Sequence, residues 1–254
     1  MSVEELAGEW GLMLGEPYVP GGASESVVRV ELADGTPAVL KIGIPHRESE
    51  QEADALERWD GDGAVRLLRR DDARNALLLE RCEPGTFLSQ GADDPLGVLI
   101  ELLPRLWKDA TGFRTLAHEV AWWLGEEGDI SRMASSRLRD VAVALAHELA
   151  PTQGELVLVH QDLHGDNVLA AEREPWLVID PKPLAAEREF AVAPIVRSDE
   201  LGHSKRDVLY RLDRLCSELD LDRERARGWT IVQTMAWMEG GGAATRMEVV
   251  EWLS

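Results

Sequence analysis

Leu156-Val157-Leu158-Val159-His160-Gln161-Asp162-Leu163-His164-Gly165-Asp166-Asn167, followed by Trp176-Leu177-Val178-Ile179-Asp180-Pro181-Lys182, decides how this chain is read. Two short apolar runs, Leu156–Val159 and Trp176–Ile179, have the length and composition of buried strands. Each runs directly into polar residues that include a carboxylate, Asp162 after the first and Asp180 after the second. Gly165 eases the tight loop between Asp162 and Asn167, because glycine adopts positive φ without a steric penalty. Asp166 is the loop member expected to serve structure, since short acidic side chains accept neighbouring backbone N–H groups. An isolated H-x-D match would read as a β-hairpin with polar ends.

Here the loop is complete. H-x-D-x-x-x-x-N, then an apolar strand, then Asp is the phosphoryl-transfer layout of kinases. The chemistry sets the spacing. One carboxylate must reach the acceptor hydroxyl, while a side-chain amide and a second carboxylate hold Mg²⁺ against the triphosphate. Asp162 takes the first role, and Asn167 and Asp180 the other two, so ATP and Mg²⁺ are the expected cofactors. His164 and Lys182 stand where they could touch the γ-phosphate or the transition state, with loop packing the alternative for His164. A non-catalytic nucleotide-binding module would be expected to have lost Asp162, Asn167 or Asp180, and all three are present. A hydrolytic metal cluster of His160, Asp162, His164 and Asp166 is a third reading, but its spacing lacks a pattern such as H-E-x-x-H.

Upstream, residues 2–14 have roughly helical apolar spacing, and Gly15-Glu16-Pro17 is expected to end that helix. Val27–Leu32 and Pro37–Ile42 read as a hairpin turned at Asp34-Gly35. Lys41 lies in Ala38-Val39-Leu40-Lys41-Ile42, close in form to the kinase strand whose lysine contacts the α- and β-phosphates. A lysine among apolar residues needs a partner. Arg47–Trp59 reads as a helix, and Glu52 is its expected ion-pair partner, with Glu48 as the second choice. Gly21, Gly22, Ser24 and Ser26 form a loop that could cradle phosphate through backbone N–H groups and a hydroxyl, although an ordinary glycine turn fits equally well. Ala64–Leu68 and Ala76–Glu80 read as further strands. The backbone near Glu80, Arg81 and Cys82 would hydrogen-bond the adenine at a hinge between lobes.

Beyond the hinge the pattern is helical: Pro95–Trp107, Leu116–Leu124, Ile130–Leu149, Lys205–Leu219, Asp222–Met238 and Thr245–Leu253. Their apolar stripes read as core. Trp122 or Trp123 could instead wall a substrate pocket. The fold class is α+β, a bilobal kinase-like arrangement with a β-rich nucleotide-binding lobe over 1–82 and a larger, mostly helical catalytic lobe over 83–254.

Composition narrows the partners. Against 27 basic side chains stand 47 acidic ones, a formal net charge of −20. Nucleic acid and anionic membranes need their phosphates neutralised, so both are disfavoured. A cationic small molecule is favoured, with simple solubility as the bland reading of the charge. No apolar run is long enough to span a bilayer, and the acidic N-terminus does not resemble a secretory signal. Cys82 and Cys216 lie far apart without metal spacing, which fits reduced thiols in the cytoplasm. The oligomeric state is not readable.

The segment HQDLHGDNVLAAEREPWLVIDPKPL, with EREF and API-V-R-S after it, resembles the aminoglycoside/hydroxyurea resistance kinases. The resemblance extends upstream to WGLMLGEPYVPGG and AVLKI and downstream to LDRERARGWT, so it covers most of the chain. It implies the bilobal fold of the wider aminoglycoside phosphotransferases, with Asp162 as the catalytic Asp, Asn167 and Asp180 as Mg²⁺ ligands and Lys41 as the triphosphate lysine. It further implies an O-phosphotransferase whose acceptor is an aminoglycoside, streptomycin at its 6-hydroxyl first, with a non-antibiotic hydroxyl compound as the alternative. Guanidinium groups on such an acceptor call for carboxylates, and Glu187, Glu189, Asp199, Glu200 and Glu239 are the candidates by position. One departure is Ala191, where many relatives carry an Asp expected to brace the catalytic loop.

Overall fold

A computed structural model describes residues 2–18, 25–44, 46–126, 128–133, 136–238 and 242–254. Gly21, Gly22, Ser24 and Glu239 lie outside the described residues. The amino-terminal lobe is one antiparallel sheet of β1 (Met13–Pro17), β2 (Glu25–Glu31), β3 (Pro37–Gly43), β4 (Leu67–Asp71) and β5 (Ala76–Glu80), ordered β1-β2-β3-β5-β4. Alternation gives the sheet two different faces. On one, Val30, Ala38, Leu40, Ala76 and Leu78 pack with Leu6 and Ala7 of α1 (Val3–Trp10). On the other, Val27, Val39, Lys41 and Leu79 face the rest of the molecule and line a cleft. Register makes this face continuous, since Val27 pairs with Lys41 and Lys41 with Leu77.

Helix α2 (Glu52–Trp59) follows β3 and closes the lobe from the side. Beyond β5 come α3 (Leu88–Gly91), α4 (Pro95–Leu106), α5 (Leu116–Leu124), α6 (Asp129–Arg132) and α7 (Arg137–Leu149). Two small sheets then carry the polar loops: β6 (Val157–His160) pairs with β9 (Pro183–Ala186), and β7 (Val168–Ala170) with β8 (Trp176–Val178). Short helices α8 (Arg188–Ala191) and α9 (Ala193–Arg197) lead to α10 (Lys205–Leu219), α11 (Arg223–Ala236) and α12 (Ala243–Leu253). Helix α11 is the axis of this lobe, packed by α7, α9 and α12. A Cβ at Gly228 would come within 2.8 Å of Leu149 Cδ1, so glycine sets the close approach of α11 to α7.

Several local expectations change. The helix expected over residues 2–14 stops at Trp10, capped by Gly11 at φ +69°, so Gly15-Glu16-Pro17 does not end it. That segment belongs to edge strand β1, whose side chains are all exposed and therefore carry no apolar alternation to read. The strand expected at Ala64–Leu68 begins at Leu67, because Ala64 bridges to Val178 instead. The helix expected over Arg47–Trp59 begins at Glu52, because residues 47–51 are held against α5 and the loop before it. The single helix expected over Ile130–Leu149 is two, α6 and α7. The two apolar strands around the polar loop do not pair with each other, since each has its own partner.

Glu187 ties the carboxyl-terminal lobe together. Its buried carboxylate accepts hydrogen bonds from Gly154 N at 2.9 Å, from Arg225 Nη2 at 2.7 Å and from the indole of Trp229. Glu187→Ala leaves a buried N–H and a guanidinium without their acceptor, and is expected to destabilise the fold by roughly 3 kcal/mol. Urea unfolding checks this; a loss under about 1 kcal/mol would reduce the contact to a surface-type ion pair.

Candidate active site

Lys41 is drawn into the interior of β3, and burial demands compensation. Its Nζ lies 2.9 Å from both carboxylate oxygens of Glu52, the first residue of α2, and also contacts Asp180 Oδ1. Asp180 sits at φ +50°, a left-handed turn that short acidic residues tolerate better than most. That turn aims its carboxylate back at β3. Burial opposes the charge on Asp180, but Lys41 outweighs it and holds the carboxyl below its ordinary range. Glu48, the second choice as partner of Lys41, is elsewhere, 3.9 Å from Lys182.

The loop after β6 is fixed from four directions. Buried His160 accepts from Asp162 N through Nδ1 at 3.0 Å, and its Nε2 faces Ile179 O at 3.3 Å. Burial pushes its pKa down to about 4, so the ring is neutral with the proton on Nε2. Gln161 N donates to Lys182 O at 2.9 Å, and Gln161 O accepts from Gln233 Nε2 at 2.7 Å. Asn167 Nδ2 donates to Asp162 O at 2.8 Å. Ala191 is buried, and Gln233 of α11 is the side chain that braces the loop from this lobe. Asp166 accepts from the Ser89 hydroxyl instead of from loop N–H groups. With both ring nitrogens of His160 engaged, the hydrolytic cluster loses a ligand, and no metal-holding group of three His, Cys, Asp or Glu occurs among the described residues.

Asp162 emerges between two cations. Lys182 Nζ is 2.7 Å from Oδ2, and Arg197 Nη2 is 3.3 Å from Oδ1. Both cations lie over the ring of Trp237, at 5.2 and 4.8 Å from its centroid. Burial opposes the charge on Lys182, yet Asp162 raises its pKa above the ordinary value; for Arg197 burial dominates and lowers it. His164 Nδ1 is 3.1 Å from Glu200 Oε1, which also accepts from Gly165 N at 2.8 Å. Burial opposes both charges. Even so, Glu200 raises His164, and the hydrogen bond from His164 brings Glu200 down to about 2.

Two cavities meet at this centre. One of about 680 Å³ lies under the sheet, with Val27, Val39, Leu79, Phe87, Leu169 and Ile179 as apolar walls. Lys41, Glu52, Asn167 and Asp180 mark its inner end, and Glu80 to Gly85 its outer edge. The Glu80 carboxylate is held by Arg173 at 2.7 and 2.9 Å, and the Arg81 guanidinium by Glu83, so these two side chains are engaged away from a ligand. Cys82 is buried, its thiol pushed up to about 12. Ser26 is exposed and pairs with Ile42, one position off the face that carries Lys41. The other cavity, about 540 Å³, is lined by Glu48, Asp162, His164, Lys182, Arg197, Asp199, Glu200, Trp237 and Arg246.

Among the carboxylates expected at a substrate, Asp199 and Glu200 line this second cavity, whereas Glu187 is internal and Glu189 accepts from Asp222 N at 3.3 Å. The tryptophan on the wall is Trp237. Trp123 is buried against Phe190, and Trp122 lies under Arg47. Arg197 and Trp237 were not singled out by sequence. Arg197 does carry a signal of the same kind as Lys41, a cation directly after the apolar run Ala193-Pro194-Ile195-Val196.

This arrangement of strands, loops and paired cavities is that of a bilobal kinase-like phosphotransferase. The chain matches the aminoglycoside/hydroxyurea antibiotic resistance kinases over residues 11–245 and belongs to that family, which makes it an ATP-dependent phosphotransferase. It is 42% identical to a hydroxyurea phosphotransferase of Kitasatospora aureofaciens, across 95% of this chain and 74% of that one. It is 41% identical to a streptomycin 6-kinase of Streptomyces griseus, across 85% of this chain and 75% of that one. Its fold is shared with choline kinase LicA from Streptococcus pneumoniae, at TM-score 0.70, 14% identity and coverage of 98% and 96%. A thermostable mutant of aminoglycoside phosphotransferase APH(4)-Ia, in complex with ADP and hygromycin B, matches at TM-score 0.70 and 10% identity, covering 100% of this chain and 95% of that one.

The His164–Glu200 pair gives a pH signature. A raised His164 stabilises the fold fully below its unfolded value near 6.5, and that contribution fades as pH rises through the folded pKa. A lowered Glu200 contributes above its unfolded value near 4.5 and fades as pH falls towards about 2. The stability advantage of wild type over His164→Asn is therefore expected to be largest between about pH 5 and 6.5 and to shrink towards pH 8. Unfolding titrations across that range check it, and a pH-independent difference would sink the assignment.

Proposed function

We propose that this chain transfers the γ-phosphate of ATP to a ring hydroxyl of an aminocyclitol aminoglycoside, streptomycin at its 6-hydroxyl. One observation carries the reading: Asp162 lines the second cavity, while Asn167, bonded to Asp162 O, and Asp180 line the first. A nucleotide in the first cavity and an acceptor in the second would meet there. Val27, Val39, Phe87 and Leu169 suit the faces of a purine, and backbone groups at Glu80–Cys82 its edge. The lobe boundary at residue 82 follows from the same placement.

Lys41, already fixed by Glu52, holds the α- and β-phosphates. Asn167 and Asp180 offer the hard oxygen donors that suit Mg²⁺, which would supply charge neutralisation at the phosphates when bound. Asp180, which contacts Lys41 in this structure, would be one of the two residues holding the cation. Asp162 accepts the proton of the acceptor hydroxyl as its oxygen forms a bond to the γ-phosphorus, while the bond from that phosphorus to the β-phosphate oxygen breaks and ADP leaves. Lys182 and Arg197 keep Asp162 aligned, and their charge faces the reacting oxygens in a partly dehydrated site. Most of the acceleration is positioning and electrostatics. Two free, buried cysteines suit a cytoplasmic enzyme.

A second reading, a small neutral N-hydroxy acceptor such as hydroxyurea, is favoured by the charge balance of the acceptor cavity. Lys182, Arg197 and Arg246 stand there with Glu48, Asp162, Asp199 and Glu200, so it is not a purely anionic trap. ADP release with MgATP and either streptomycin, hydroxyurea or simple sugars separates the two. Streptomycin-dependent turnover is expected, with phosphate on the 6-hydroxyl by NMR, and Asp162→Ala is expected to reduce it by about 10³-fold. Turnover with hydroxyurea alone would move the acceptor, and full activity of the Asp162→Ala protein would remove the mechanism.

A further inference from the structure

The acceptor cavity is built almost wholly from the carboxyl-terminal lobe. Glu48 is the one amino-terminal-lobe residue among its described lining residues. Its segment is fastened to the other lobe. Arg47 Nε donates to Glu119 at 3.0 Å, Arg114 Nη1 to Arg47 O at 2.5 Å, Gln51 Nε2 to Gly112 O at 2.9 Å, and Arg114 N to Gln51 Oε1 at 2.8 Å. The backbone at Glu48 is thus held in place relative to the other lobe. The Glu48 carboxylate makes no hydrogen bond among the described residues, and the Lys182 ammonium, 3.9 Å away, is committed to Asp162 at 2.7 Å. Burial raises its pKa, the state of a carboxylate short of donors. The other acids here are differently placed: Glu200 is saturated by His164 and Gly165 N, and Asp199 is exposed.

We propose that Glu48 is an acceptor-binding residue that selects cationic acceptors, receiving a guanidinium or ammonium group while the reacting hydroxyl lies at Asp162. The proposal rests on the aminoglycoside reading above. A guanidinium would supply the two parallel N–H donors a carboxylate lacks here, and its positive charge would offset the dehydration of Glu48. A neutral acceptor gains little from that charge. Glu48 thereby acts on which molecule is accepted, and the phosphoryl-transfer centre itself is left to Asp162, Lys182 and Arg197.

The test compares wild type with Glu48→Gln and Glu48→Asp by steady-state kinetics on streptomycin and on hydroxyurea, with calorimetric titration of streptomycin into nucleotide-free protein. Glu48→Gln is expected to raise KM for streptomycin at least tenfold while KM for MgATP, and both constants for hydroxyurea, stay within twofold. Glu48→Asp should recover part of the loss. An equal fall in kcat with both acceptors would place Glu48 behind Lys182 as a positioning residue and overturn the proposal, as would an unchanged KM for streptomycin. If wild type binds streptomycin without phosphorylating it, and Glu48→Gln loses that binding, the acceptor reading fails but Glu48 stands. If wild type neither binds nor phosphorylates streptomycin, both fall.

Discussion

A lysine ammonium buried alone would cost more than the fold can supply, and Lys41 is buried with two carboxylates beside it. Its charge is shared between Glu52 and Asp180. Glu52 opens α2, and Asp180 lies just beyond β8, so one ammonium joins the sheet, the helix beside it and the loops of the other lobe. Removing either carboxylate alone would leave the lysine undercompensated. The register of β3 is equally constrained. A slip by one residue would turn Lys41 to the apolar face occupied by Leu6 and Ala7, away from Glu52 and Asp180. The position of the nucleotide cavity, the tilt of α2 and the turn at Asp180 therefore answer to the same electrostatic demand.

The second charged centre obeys a related rule with opposite sign. Asp162 is a carboxylate gathered between two cations, and the cations are themselves supported by the face of Trp237. In the proposed mechanism that placement orients the acceptor hydroxyl, which suits a phosphoryl transfer in which little negative charge builds on the nucleophile before the bond forms. Fixing this geometry takes neutral groups. The side chains of His160, Asn167 and Gln233 each bond a backbone atom of the loop, so they add rigidity without adding charge.

What could be read from the sequence divides along physical lines. The pairing of Lys41 with Glu52, and the placing of Asp162, Asn167 and Asp180 around one centre, were legible because local spacing sets that layout before any tertiary contact forms. Lys205–Leu219 was legible because a long amphipathic stripe has one solution. Strand β1 was not, since an exposed edge strand shows no alternation, and neither were β7 and β9, at 3 and 4 residues too short for a period to register. Glu187 and Glu200 look alike in sequence. Only packing makes the first an internal anchor under Trp229 and the second the partner of His164. Arg197 and Trp237 come together from different helices and share no sequence spacing that chemistry dictates.

The two cavities differ in how their walls are made, and this bears on how specificity can change. The cavity under the sheet, proposed for the nucleotide, is shaped by strand register and by the Lys41 ion pairs. The second cavity, proposed for the acceptor, also takes lining side chains from the ends of elements that make no contact with Asp162: Glu48 ahead of α2, Asp199 in the turn after α9 and Arg246 in the first turn of α12. Such positions can be exchanged with less cost to the core. A common phosphoryl-transfer centre can then serve acceptors as different as a tricyclic guanidino-sugar and a small N-hydroxy amide within one family, because the groups that bind charge on the acceptor are separate from those that move the phosphate.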